Sequence, residues 1–215
     1  KLISISSEGI VFYRMAIAAI GLWAFIKLGK GSLKIPYRTV IRFFLVALLI
    51  VLHWYCFFES IKRSNVSIAL ASLSSTSLFI SLLEPIINRK KIRWFELGLG
   101  LLVIAGLYMI FTYEMNYTAG IILGLLAAIF AALFSIFNSL LVVDHPAERI
   151  SFYELLFGAI ICGAYIWIAG NPARSFIIPN VTEWIWILLL GIVATAFAFA
   201  AIIRILKILS PFSTS

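Results

Sequence analysis

The chain has little charge. Asp, Glu, Lys and Arg make up 12% of its 215 residues, against about a quarter in a soluble domain. Cysteine is scarce too. Cys56 and Cys162 both lie inside apolar runs, which gives no disulfide framework and reads as two small buried hydrophobes. No Walker A loop, HExxH, GxSxG or paired-aspartate motif appears, so the sequence offers no ATP site and no familiar hydrolytic centre. No cysteine–histidine spacing for a metal is present, and no cofactor is expected. The net charge of +8 is spread through short loops and forms no basic face or arm, which argues against nucleic acid. The chain opens on Lys1 without a signal-peptide pattern and closes on Ser-Pro-Phe-Ser-Thr-Ser without a closing element. It is therefore expected to be a fragment lacking something at both ends.

What is abundant is apolar surface, 63% of the residues. Seven runs are long enough to span a bilayer: residues 9–26, 39–58, 66–87, 94–112, 119–143, 152–169 and 184–203. The shortest, 18 residues, reaches about 27 Å as a helix, close to a hydrocarbon core of about 30 Å. Only helices and closed barrels satisfy their backbone in lipid, and these runs are too long and too continuously apolar for barrel strands. The expected fold is an all-α, polytopic membrane bundle.

Alternate loops must face opposite sides. One set holds twelve basic residues: Lys27, Lys30, Lys34, Arg38, Arg42, Arg89, Lys90, Lys91, Arg93, Arg149, Arg204 and Lys207. The other holds Lys1, Lys62, Arg63 and Arg174. The positive-inside rule puts the first set in the cytoplasm, so the first run passes from outside to inside. Trp23, Trp94, Trp167, Trp184 and Trp186 lie near run ends, as an interfacial aromatic belt does, whereas Trp54 lies deeper.

The chain also repeats itself. Phe12-Tyr13-Arg14 opens the first run, and Phe152-Tyr153-Glu154 opens the sixth, 140 residues later. The segments after the second and seventh runs match loosely at an offset of 145. Five spans separate the copies, and an odd number inverts the second relative to the first. Inverted repeats build many secondary transporters, with the substrate near the midplane between the halves.

Four stretches resemble the drug/metabolite transporter superfamily, EamA type. They are the Phe12-Tyr13-Arg14 helix entry, the run from Lys62-Arg63-Ser64-Asn65 to Ala71-Ser72-Leu73, the Leu83-Glu84-Pro85-Ile86 turn, and the glycine-spaced Phe95-Glu96-Leu97-Gly98-Leu99-Gly100 helix ending at Leu107. The resemblance implies two inverted five-helix repeats and a bundle of about ten helices, seven of them present here. Residues 1–113 would be the first repeat without its first helix, and 119–215 the second without its last two. It implies a secondary transporter that exports or exchanges small organic metabolites, such as amino acids, by alternating access across a bacterial cytoplasmic membrane. The partners would be a small-molecule substrate and membrane lipid, with a homodimer as an option. A seven-helix receptor and an intramembrane enzyme are the alternatives.

Several polar residues in the runs are candidates for substrate binding. Arg14 is the most costly, at roughly 2.5–3.5 kcal/mol for a central arginine. It reads either as an anchor for a carboxylate, whose two oxygens suit its planar fork, or as a snorkelling or ion-paired structural residue. Tyr13 accompanies it. Glu154 reads as a ligand for an amine, a proton carrier, or an interfacial carboxylate near Arg149. His53, Trp54 and Tyr55 form a polar-aromatic cluster that could stack a ring, while His53 could equally bond a neighbouring helix. Ser72, Ser75 and Thr76 lie close to one face of the third run and could border a cavity. Packing is the simpler reading of that serine-rich run. Asn138 and Ser135 read as interhelical glue, and Gly120 and Gly124 as a GxxxG packing pair.

Overall fold

The computed structural model describes residues 5–89, 91, 93–113, 115–169 and 172–214. Lys1 and Lys90, both counted for topology, lie outside the described residues. Every regular element among those described is helical, as a chain must be that satisfies its own backbone in lipid. Helix α1 covers Ser7–Leu28, α2 Tyr37–Arg63, α3 Val66–Leu73, α4 Thr76–Asn88 and α5 Trp94–Tyr113. A 3-10 turn at Met115–Tyr117 leads into α6, Thr118–Leu141, and α7 is Ala147–Ile168. A single turn, α8, Pro172–Ser175, precedes α9, Val181–Gly191. A π segment, Ile192–Phe197, then joins α9 to α10, Ala198–Ile205, and α11 is Pro211–Thr214.

Six of these units are long and apolar enough to cross a membrane: α1, α2, α3 with α4, α6, α7, and α9 through α10. The fourth apolar run of the sequence is α5, an apolar 20-residue helix lying on α4.

The ends follow local chemistry. The Ser6 hydroxyl caps α1 by accepting from the Gly9 amide at 3.2 Å, and the Asn65 side chain caps α3 through the Ile68 amide at 2.9 Å. A reciprocal capping box, Asn180 with Glu183, starts α9. Helix α2 runs past its apolar stretch to Arg63 because Glu59 pairs with Lys62 and Arg63 on the next turn.

Two spans are not continuous α-helices. The third breaks at Ser74–Ser75, where hydroxyls compete with the backbone for carbonyls. The seventh widens into the π segment. Pro85 lies inside its helix. Helix α4 continues to Asn88 and closes on Arg89 in the left-handed region, φ 51°.

In the bundle α1 packs along α7, and α2 packs on both α6 and α7. Helix α9 and the π segment lie on α1, while α3 and α4 lie on α6. Met15, Phe43, Ile50, Leu155 and Ile166 are completely buried between these helices. Two glycines permit a close approach of α6 to its neighbours. A Cβ on Gly120 would stand 2.5 Å from that of Ser64, and one on Gly124 2.5 Å from that of Ser72. Outward-facing residues such as Ile20, Leu45, Leu101 and Ile168 stay exposed, as lipid-facing side chains do.

The two loop sets gather at opposite ends. At one end Ser6 meets Ser175 at 2.8 Å, and Lys62 reaches Glu8 at 3.7 Å. At the other, the Tyr153 hydroxyl donates to the Leu33 carbonyl at 2.6 Å, Arg149 reaches the Lys34 carbonyl at 3.4 Å, and Arg204 pairs with Glu148.

Candidate functional site

Arg14 stands about two turns into α1 and is partly buried. Its guanidinium carbon lies 3.8 Å from the centroid of the Trp54 ring on α2, a cation–π contact. Its Nε donates to the Thr195 hydroxyl at 3.1 Å. Thr195 is 1% exposed and sits in the π segment, where its own hydroxyl donates to the Leu190 carbonyl at 2.8 Å. The fifth-residue reach of that bond suits the widened π register, a device common at functional sites. Three separate elements therefore fix one arginine. Among the described residues no carboxylate lies within 4.0 Å of it and its two terminal amino groups have no partner. A cation held by its face and its Nε keeps the donors of its fork unspent.

The other sequence candidates separate in space. Tyr13 turns toward the α8–α9 loop, its hydroxyl donating to the Ile177 carbonyl at 3.4 Å and its ring edge-on to Trp184 at 5.8 Å. The His53–Trp54–Tyr55 cluster points three ways. Only Trp54 meets Arg14. His53 is buried against α6, with Nδ1 2.9 Å from the Ala127 carbonyl and its ring beside Phe134. Tyr55 faces Tyr165, ring centroids 6.0 Å apart, at the edge of a cavity of about 270 Å³. That cavity is mostly apolar, with Ser7 and Glu8 among the residues that border it.

The serine-rich run mostly turns inward on itself. The Ser75 hydroxyl donates to the Ser72 carbonyl and that of Thr76 to the Leu73 carbonyl, each at 2.6 Å. Ser72 is fully buried against Gly124, and its hydroxyl has no partner.

Glu154 lies on α7 and is completely buried. Asn138 of α6 donates to its Oε2 at 3.2 Å. Its Oε1 has no hydrogen-bond partner, and neither do the Asn138 Oδ1 and the Ser151 Oγ, all of them buried. Arg149, the neighbour expected from sequence, points instead to the α1–α2 loop.

Thr195 is the residue that sequence reasoning missed. Its signal was weak, a lone threonine in the apolar run Ile192-Val193-Ala194-Thr195-Ala196-Phe197. Among the described residues no three His, Cys, Asp or Glu side chains gather as metal ligands would.

Comparison with known proteins places this bundle. The chain is 24% identical over 189 residues to the pseudopaline exporter CntI of Pseudomonas aeruginosa, matching 86% of this chain and 63% of the exporter. The chain thus spans less than two thirds of that relative's length. One solved crystal structure superposes with a TM-score of 0.74 at 16% identity, covering 98% of this chain and 73% of its own, and that likeness shows the fold. The model of the EamA-like transporter family matches twice, over residues 1–112 and 118–215. With six helices long and apolar enough to cross a membrane, the chain is a multi-pass integral membrane protein and belongs to the EamA-like transporter family.

Proposed function

We propose that this chain works in a secondary transporter that exports or exchanges small organic metabolites carrying a carboxylate, amino acids among them. Transport crosses the bacterial cytoplasmic membrane by alternating access between two inverted repeats, residues 1–113 and 119–215. The observation that carries this reading is Arg14, held by Trp54 and by Thr195 of an interrupted span, with its fork free and no counter-charge among the described residues. Interrupted helices facing a buried polar group are where transporters of this architecture hold substrate.

Three further features support the two-repeat reading. The family model matches in two segments that nearly coincide with the expected repeats. Helices α1 and α7 are both 22 residues long and start 140 residues apart, which makes Arg14 and Glu154 the eighth residue of each. Helix α2 packs on α7 as α9 and its π segment pack on α1, the reciprocal pairing of a two-fold arrangement. The exporter name of the relative favours outward movement.

The test uses the full-length protein in proteoliposomes loaded with a mixed pool of amino acids and other small metabolites, with efflux read by mass spectrometry. Carboxylate-bearing solutes should leave selectively. Arg14→Ala should lower that efflux by about 100-fold, since two charge-assisted bonds contribute about 3 kcal/mol together. Unchanged efflux in the variant removes Arg14 from the path. No efflux of any solute from folded protein overturns the transporter reading.

A further inference from the structure

Glu154 poses a problem that the Arg14 site does not explain. It is a carboxyl with 0% exposure, and no cation lies within ion-pair distance of it among the described residues. Burying an unpaired carboxylate costs several kcal/mol. A packed core seldom retains such a group unless something neutralises it for part of a working cycle.

The surroundings hold spare acceptor oxygens. Ser151 and Glu154 are three residues apart on α7 and share one face of it. Asn138 comes from α6 and holds the other carboxylate oxygen. Three buried oxygens in this neighbourhood, Glu154 Oε1, Asn138 Oδ1 and Ser151 Oγ, have no hydrogen-bond donor. Native cores leave few such atoms unpaired, and three on neighbouring residues call for a ligand. Unpaired oxygen acceptors around a negative charge suit a small cation and repel an anionic substrate.

The charged and titratable groups on the neighbouring elements are engaged elsewhere or, like Lys27 on α1 and Arg38 and Arg42 on α2, exposed. On α1, Arg14 is held by Thr195 and Trp54, and Glu8 faces Lys62. On α2, His53 is bonded to the Ala127 carbonyl. On α10, Arg204 pairs with Glu148. On α7 itself, Tyr153 and Arg149 reach the α1–α2 loop. His145, before α7, lies edge-on to Phe43 at 5.5 Å. None of these neutralises Glu154.

We infer that Glu154, with Asn138 and Ser151, forms the site of a monovalent coupling cation, a proton or a sodium ion, whose binding and release drives the cycle. The inference rests on the transporter reading but is tested without a substrate. It separates the roles of the two charged residues at matching helix positions. Arg14 takes the anion that is moved, and Glu154 takes the cation that drives it.

The test is solid-supported-membrane electrometry on proteoliposomes of the full-length protein, with no substrate added. In one arm the outer solution is switched in pH, and in the other in sodium at constant ionic strength. A transient charge displacement in the native protein in either arm, absent in Glu154→Gln, supports the site, and the arm that responds names the ion. Ser151→Ala, which leaves the carboxyl in place, should raise the half-saturating cation concentration several-fold. No displacement in the native protein in either arm overturns the inference. So do currents of native size in Glu154→Gln. Efflux in the mixed-pool assay then shows separately whether the transporter reading survives.

Discussion

Where α2 meets α6, polar side chains end on backbone. His53 bonds the Ala127 carbonyl, and the Ser60 hydroxyl donates to the Gly120 carbonyl at 2.7 Å. Gly120 and Gly124 bring the two helices close enough for these bonds to form. Where α2 meets α1, the neighbouring residue Trp54 lies beneath an arginine whose fork remains free. One helix thus carries two kinds of polar contact a residue apart. On the first flank every polar group named has a partner, so the contact fixes position and little else. On the second the contact leaves a charge incompletely satisfied, and that remainder is what the proposed function draws on.

The comparison can be broken by three changes, the largest first. Gly124→Ala places a Cβ 2.5 Å from that of Ser72 on α3 and 3.1 Å from the Ser60 hydroxyl on α2, and should destabilise the protein by about 1–3 kcal/mol through overpacking. Gly21 has open space around it, so Gly21→Ala should be neutral or gain a few tenths from helix propensity. Thermal melts of both variants in detergent measure the difference, and equal losses would mean that the α2–α6 flank is not specially tight. Next, Trp54→Leu should lower efflux by about 10-fold, the worth of a partly desolvated cation–π contact of roughly 1–2 kcal/mol. It should do so with little change in melting. A variant that melts early but transports normally would put Trp54 with the scaffold. The smallest effect belongs to His53→Phe, which keeps a ring beside Phe134 and loses the bond to Ala127. Interhelical bonds in membranes average about 0.6 kcal/mol, so a melt shifted by a degree or two is expected. Its efflux should fall less than that of Trp54→Leu, and a larger fall would move His53 to the substrate side.

Much of this was legible before any coordinates. The apolar runs at residues 9–26, 39–58, 119–143 and 152–169 became α1, α2, α6 and α7 with ends shifted by a few residues. Hydrophobicity at that length admits few other outcomes. The interruptions were not legible. Residues 66–87 and 184–203 read as unbroken spans; the serine-rich run gave only a packing signal around Ser74–Ser75, and nothing local marks Ile192–Phe197 as the place where the helix changes register. Arg14 was visible as a costly residue and Glu154 as a candidate, but their environments were not. Tyr55 and Trp54 are adjacent in sequence, yet one sits 38% exposed by a lateral cavity and the other 7% exposed under Arg14.

The sequence by itself determined the membrane and most of the spans, because these depend on the composition of continuous segments and on lipid as solvent. Only the tertiary structure decided that Arg14 meets Thr195 from 181 positions away. The same holds for Asn138 and Glu154, and for the three directions taken by His53, Trp54 and Tyr55. Contacts of that kind depend on which helix faces pack together, and side chains far apart in the chain meet only when the whole bundle has closed.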